Sequence, residues 1–442
     1  MSGKKRILII SYYFAPQNVI GAVRPTKLAK YLSRMGHEVT VLCGGGLDGQ
    51  TDPTLARDLQ ELQDIHLLKE WSPLRDWYIY KRSKPHPSTQ DKPGADAPSA
   101  APGGLKKLLM RVINAVYIYL DWMADRNFRR LALRELKRLH GVYDVVFSTY
   151  ASFAVHEIAQ RAKKTGLARK WIADFRDEVN MPFACQEKRR QRYLQMIRRD
   201  ADIISAVSHG FLEMMHFDDV GRVLSNGFDR EDLPQVEVQK TDHRMRFVYC
   251  GQFNMGRREI GNRDLTPLFR AIAQLVEEGT LAKQEICLVY AGSEGALMMQ
   301  YAATCGLEEC VEDHGQVSRS ASIRLQKEAD VLLLASWNTA GQRGILTGKM
   351  FEYMMMDKPI VCCMSGDVPN SAVKKVMEET GIGCCREEAA AQADDPQLLD
   401  ALRRLVNRWK AGQPLLDGRN REAVEAYAYP RLAQTLDNWI DE

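Results

Sequence analysis

Apolar residues occur along this 442-residue chain in short runs that end on small or polar residues, with helical patterns between them. The run RILII, residues 6–10, leads into the loop SYYFAPQNVIGAV and then RPTKLAKYLSRMG, where Leu28, Tyr31, Leu32 and Met35 recur at i, i+3, i+4 and i+7. Pro25 suits the first turn of that helix and Gly36 its end. HEVTVLCGGG follows as a second buried strand, so the chain opens on a βαβ unit, and strands apolar on both faces belong in a parallel sheet covered by helices. YDVVFSTY (143–150), KWIADFRD (170–177) and ADIISAVS (201–208) continue as strands with polar C-terminal ends, where ligands sit in open α/β sheets. RFVYCGQF, EICLVYAGS, ADVLLLASW and DKPIVCC repeat the theme in the second half.

The pattern predicts an α/β protein of two Rossmann-like, doubly wound domains with a cleft between them, and the length agrees, since one hydrophobic core rarely serves so long a chain. The expected domains are 1–235 and 244–424, joined by SNGFDREDLPQVEVQKTDH; residues 425–442 form a helical end, broken at Pro430, that crosses back to the first domain. Residues 83–104 carry five prolines and no periodicity, and read as a surface loop insertion.

Composition narrows the function classes. The balance of 61 basic against 57 acidic residues is too mild for a nucleic-acid binder. The ten cysteines have no zinc-site spacing and read as reduced core residues of a cytoplasmic protein. No apolar run is long enough to span a bilayer, and the apolar start is too short for a signal peptide. Residues 105–138 nevertheless hold nine Lys/Arg against three Asp/Glu, interleaved with Tyr117, Tyr119 and Trp122. That is the pattern of a helix lying on an anionic surface such as the inner membrane, or of two amphipathic helices packed on the first sheet.

Candidate chemistry gathers at the predicted strand ends. Gly21 and Ala22 stand at a helix start, where free N–H groups attract phosphate, with Arg24 as an added charge or a solvated arginine. ADFRDE places Asp174, Arg176 and Asp177 after a strand; such a group can bind sugar hydroxyls and stabilise positive charge at an anomeric carbon, or cap the next helix. His156 is either a cleft residue or a packed histidine. The DAD at 200–202 spells a metal-binding triplet but fits a helix-to-strand junction better, so no metal and no cofactor are expected. In TGKMFEYMMMDKPIV, Thr347 reads as an N-cap; Phe351, Met354 and Met355 share one face while Lys349, Glu352 and Met356 share another.

ISYYFAPQNVIGAVRPTKLAKYLSRMGHEVTVLCG, WIADFRD, SNGFD, HGQVSRSASIRLQKEADVLLLAS and GKMFEYMMMDKPIV occur in the order and spacing of a GT-B glycosyltransferase of the GT4 type. The chain resembles the branch that builds bacterial O-antigen and capsule. That resemblance implies transfer from a nucleotide-diphosphate sugar, UDP-linked, to a glycan or polyprenyl-linked acceptor, with retention and without a metal. It sets Gly21 against the donor diphosphate and the base against the backbone at Gln316 and Val317. Of the family's two basic residues after the strand-ending glycine, here Gly251, the first is replaced by Gln252 and the second falls on Arg258, with Arg257 beside it. Of two glutamates on donor sugar and ribose, Glu352 matches the second; Gly344 stands where the first is expected, leaving Lys349 and backbone N–H groups to hold the donor. A GT-B sugar-nucleotide epimerase and a silent nucleotide-sugar-binding partner are the alternatives.

Overall fold

The apolar runs form the strands of two parallel sheets. The computed structural model describes residues 3–45, 51–69, 104–179, 187–234, 238, 242–253 and 263–442; the insertion at 83–103, Arg257 and Arg258 lie outside the described residues. By packing, the chain divides into one unit of residues 1–176, 180–204 and 440–442 and another of 177–179 and 205–439. The division falls at 204, earlier than the linker expected over residues 225–243.

The first sheet has seven strands in the order β3-β2-β1-β4-β5-β6-β7. They are β1 (Arg6–Ser11), β2 (Glu38–Gly45), β3 (Asp64–Lys69), β4 (Tyr143–Thr149), β5 (Ala168–Phe175), β6 (Ile203–Ala206) and β7 (Gly221–Val223). β1 pairs in parallel with β2 and β4, so its residues 7–10 are sealed on both sides and have no exposed surface. Helix α1 (Ile20–Arg34) starts four residues before the predicted place, which leaves Pro25 inside it, unable to bond the Gly21 carbonyl. Its N-cap, Val19, makes no side-chain capping bond, so no sequence signal marked the start. Short α2 (Pro53–Asp58) precedes β3. Helix α3 (Gly104–Leu136) is one long helix rather than two, and packs inward through Ala124, Phe128, Ala132 and Leu136 at four-residue spacing. Helices α4 (Phe153–Lys164), α5 (Glu187–Asp200) and α6 (His209–Met214) follow β4, β5 and β6.

An ion pair locks α1 to the sheet. Arg24 donates to both carboxylate oxygens of Asp174, Nε to Oδ2 at 3.0 Å and Nη2 to Oδ1 at 2.8 Å, and Thr149 Oγ1 adds a bond to Oδ2 at 2.9 Å. Arg24 is 2% exposed and Asp174 0%. A pair this deep is held by its geometry, since either charge alone would be desolvated without compensation.

The second sheet has six strands ordered β10-β9-β8-β11-β12-β13: β8 (Met245–Cys250), β9 (Ile286–Ala291), β10 (Val311–Asp313), β11 (Val331–Trp337), β12 (Ile360–Ser365) and β13 (Gly383–Glu387). β8, β9 and β11 are buried throughout, and clusters of apolar side chains cover both faces. Around them lie α7 (Thr266–Glu277), α8 (Gly295–Ala303), α9 (Arg319–Glu328), α10 (Gly348–Met354), α11 (Ala372–Thr380) and α12 (Ala391–Lys410), then α13 (Arg421–Glu425) and α14 (Tyr429–Asp441). Met350, Met354, Met355 and Met356 all pack in the core. Because α10 ends at Met354, Met356 turns inward and does not share a face with Lys349 and Glu352 as a continued helix would have it. The last residues return to the first unit, where Lys170 Nζ donates to the Ile440 carbonyl at 3.0 Å and Lys5 pairs with Asp441 at 2.8 Å.

Arg24→Met should lower unfolding free energy by about 3–5 kcal/mol in urea, because Asp174 is left charged and buried. Adding Asp174→Leu should recover much of that loss.

Candidate functional site

The C-terminal end of β8 builds the site of the second unit. Gly251 follows the strand at φ +145°, a conformation side chains rarely adopt, and a Cβ there would overlap the Nζ of Lys349. The lysine, from the first turn of α10, thus lies directly against the strand-end backbone, 5.0 Å from the centroid of the Tyr249 ring. The loop is pinned from below: Gly251 N donates to the Ala291 carbonyl and the Tyr290 hydroxyl donates to the Gly251 carbonyl, both at 2.8 Å. Burial and, after it, the nearby Arg263 guanidinium lower the Lys349 pKa to about 8. Arg263 donates Nη1 to the Gln252 carbonyl at 2.8 Å and lies over the Trp337 ring at 5.3 Å; its Nε is buried with no partner among the described residues. Two cations held together at a strand end suit a diphosphate.

Arg263 was missed because the expectation counted forward from the glycine and reached Arg258. The residue that arrives is instead fixed by its distance from the start of α7, three residues on. Counting back from the helix would have found it. Gln252 is exposed, its amide directed to Ser293 Oγ at 3.4 Å.

Glu352 stands one turn along α10 from Lys349, half-buried. Its Oε1 accepts a 2.6 Å bond from Nε2 of Gln326, which is 1% exposed on α9 and also donates to Ser322 at 3.1 Å. Gln326 therefore fixes the carboxylate, a role the sequence did not reveal. Gln316, exposed, and Val317, half-buried, lie in the loop between β10 and α9. That loop is tied to β9 through His314 N to the Tyr290 carbonyl at 2.9 Å and Gly292 N to the Gly315 carbonyl at 2.8 Å.

Gly344 is buried at φ +73°, and a Cβ on it would overlap Ser208 Oγ and come within 2.8 Å of Gly210 Cα. No side chain fits, which accounts for the missing first glutamate. Thr347 is the N-cap of α10 by its backbone angles, but its hydroxyl makes no capping bond and is buried without a partner among the described residues.

The candidates of the first unit are placed otherwise than expected. Arg24 and Asp174 neutralise each other in the core, so neither presents charge to a ligand. The place above Gly21 is filled by the Arg176 guanidinium, which a Cβ on Gly21 would strike; Arg176 is further held by a 3.0 Å bond from Nε to the Tyr150 carbonyl. An anion approaching this helix start would meet Arg176, not the Gly21 backbone, while Ala22 is buried beside it. Asp177 is exposed and packs with the second unit. His156 is the packed histidine: 0% exposed, its Nδ1 bonded to Ser148 Oγ at 2.8 Å, its ring among Tyr150, Phe175 and Tyr193. Burial lowers its pKa to about 3, so it stays neutral and has no proton to give at neutral pH. Asp200 and Asp202 tie α5 to its neighbours, Asp200 to Lys164 at 3.0 Å and Asp202 to Lys163 at 2.7 Å and to the Trp171 amide at 2.7 Å.

Two parallel α/β units, with paired cations at a strand end of the second, define the fold class as GT-B. Residues 244–408 match the family model described as Glycosyl transferases group 1. Among solved structures it is similar to the N-terminal domain of Candida albicans trehalose-6-phosphate phosphatase, with TM-score 0.59 and 12% identity over 100% of this chain and 98% of that one. Sucrose-phosphate synthase from Thermosynechococcus elongatus gives TM-score 0.57 and 13% identity, covering 99% and 98%. The lipopolysaccharide outer core galactosyltransferase WaaB in its apo form gives TM-score 0.53 and 14% identity, covering 99% of each chain. At such identities the likeness carries the fold alone. No curated protein matches the chain in sequence.

Lys349 makes binding of a nucleoside diphosphate depend on pH. In the free protein it loses its proton near pH 8, and a bound phosphate raises that value, so binding takes up a proton and weakens as pH rises past 8. Titration calorimetry from pH 7 to 9 should show affinity falling by up to about tenfold per unit, and Lys349→Met should bind weakly with a flat profile. Gln326→Leu, which frees Glu352, should weaken nucleotide binding by about fivefold without lowering the melting temperature by the same proportion as a core substitution.

Proposed function

We propose that this glycosyltransferase moves a sugar from a UDP-linked donor, with retention at the anomeric carbon and without a metal, to a glycan or polyprenyl-linked acceptor in the assembly of a surface polysaccharide. The observation that carries the reading is the Lys349–Arg263 pair against Gly251, with the Glu352 carboxylate one helical turn away. In this reading the two cations hold the diphosphate, Glu352 accepts from the ribose hydroxyls, and the main chain at Gln316 and Val317 reads the base. As the bond between the anomeric carbon and the phosphate oxygen breaks, Lys349 and Arg263 stabilise the charge left on the phosphate. The acceptor hydroxyl attacks from the same face and passes its proton to the departing phosphate oxygen.

An acceptor carried on a polyprenyl lipid places the enzyme in the cytoplasm, at the inner face of the membrane. A second reading, a nucleotide-sugar-binding partner without transfer, is favoured by one observation: Gly344 leaves no room for a carboxylate at the donor sugar.

Incubation with a panel of UDP- and GDP-sugars, with and without lipid-linked acceptor, separates the readings. Acceptor-dependent release of UDP supports transfer, acceptor-free isomerisation indicates an epimerase, and binding with neither indicates the silent partner. Glu352→Gln should raise the donor KM at least about tenfold, the loss of one charge-assisted hydrogen bond, with the melting curve unchanged; an unchanged KM would remove Glu352 from the ribose.

A further inference from the structure

Helix α3 presents two different faces. Its inner face, Ala124, Phe128, Ala132 and Leu136, is buried in the first unit. The opposite face exposes Val116 at 52%, Tyr119 at 57%, Trp122 at 37% and Met123 at 39%. Most large apolar side chains elsewhere in the described residues are covered, so four exposed on two turns of one helix form a patch that calls for an occupant.

The stripe continues in basic residues. On a 3.6-residue period Val116, Tyr119, Met123, Arg126 and Arg130 line one side, with Trp122 along its edge, and both arginines are exposed; Arg129, also at the edge, is paired to Glu157 at 2.9 Å. The Arg126 guanidinium lies over the Trp122 ring at 5.4 Å, and Tyr119 packs beside Trp122 at 6.0 Å between centroids, so the aromatic and cationic parts are one surface. The acids on this helix whose side chains are described turn away from it. Asp125 accepts the Ala154 amide at 3.0 Å, and Glu135 bonds His66 at 2.9 Å. What remains outward is apolar at one end and positive at the other.

We propose that this face of α3 docks the enzyme on an anionic bilayer, with Val116, Tyr119, Trp122 and Met123 entering the headgroup boundary and Arg126 and Arg130 engaging lipid phosphates. Charge decides for this occupant over a second protein. Two arginines beside the apolar patch match a uniformly negative surface, and Trp and Tyr are the side chains that settle at the membrane–water boundary. No helix among the described residues is long and apolar enough to cross a membrane, so the contact is a reversible one. The inference extends the lipid-borne acceptor reading but stands on the helix itself.

Co-sedimentation with vesicles of equal parts phosphatidylcholine and phosphatidylglycerol tests it, with pure phosphatidylcholine vesicles as the comparison. The full chain should bind the anionic vesicles, release in high salt, and bind the neutral ones weakly. Each arginine contributes about fivefold, so Arg126→Gln with Arg130→Gln should weaken binding by about 25-fold. Tyr119→Ser with Trp122→Ser should also abolish binding while leaving the melting temperature and nucleotide affinity unchanged. Absence of binding to anionic vesicles, or binding indifferent to both sets, overturns the proposal. Self-association without lipid that the same substitutions remove would assign the face to a second copy and equally overturn it. Because nucleotide binding is read separately, failure here is distinct from failure of the donor assignment.

Discussion

The ligand-facing part of the second unit depends on one contact, the Lys349 ammonium resting on the backbone of Gly251. It fixes the residue at the strand end, since any Cβ would displace the lysine. It also explains why the turn is braced so heavily. The Tyr290 hydroxyl holds the Gly251 carbonyl at 2.8 Å and takes the Glu294 amide at 3.0 Å, while the Glu294 carboxylate holds the Phe253 amide. β8, β9 and the start of α8 are thereby joined around a buried cation. With Arg263 added, the site gathers positive charge in a place that disfavours it, and an incoming diphosphate relieves both the burial penalty and the mutual repulsion.

The first unit treats its buried charges in the opposite way. Arg24 meets Asp174 in two bonds, and Lys27 and Lys30 both meet Asp58, at 2.6 and 3.0 Å. These cations have carboxylates that match them within the same unit, so they hold α1 and α2 in place and leave little charge for a ligand. Residue type alone does not separate the two cases. An arginine near a strand end is structural when an acid faces it and functional when none does, and the facing residue can lie far along the chain, 150 positions in the case of Arg24 and Asp174.

This marks the limit of what the sequence made legible. The inner strands could be read, because a strand sealed on both faces must be an apolar run and little else in a polar chain looks like one; the edge strands β3, β7, β10 and β13 could not. Lys349 and Glu352 could be read, because they are the charges in an otherwise apolar helix. Arg263 could not, since loop length between β8 and α7 sets which basic residue arrives. Nor could the roles of Gln326 and Arg176, whose partners Glu352 and Gly21 are distant in sequence. His156 was open between two readings until its surroundings were known: the aromatic rings around it exclude water, and a histidine kept neutral by burial is a packing residue with one hydrogen bond to Ser148.

Gly344 shows how such a site can lose a familiar group and remain built. Gly344 and Gly210 approach so closely that a Cβ on either would press on the other's Cα, at 2.8 and 2.7 Å. Neither can acquire a side chain without the other's backbone giving way, so a carboxylate cannot return here by one substitution. The contact instead fixes the backbone that leads into Thr347 and α10, the helix that carries Lys349 and Glu352. In the proposed donor site this segment supplies a packing contact that positions Lys349 and Glu352, and no side chain toward the sugar. Discrimination at the sugar must then rest on main-chain groups and on shape, which distinguish hydroxyl positions less sharply than a charged acceptor does.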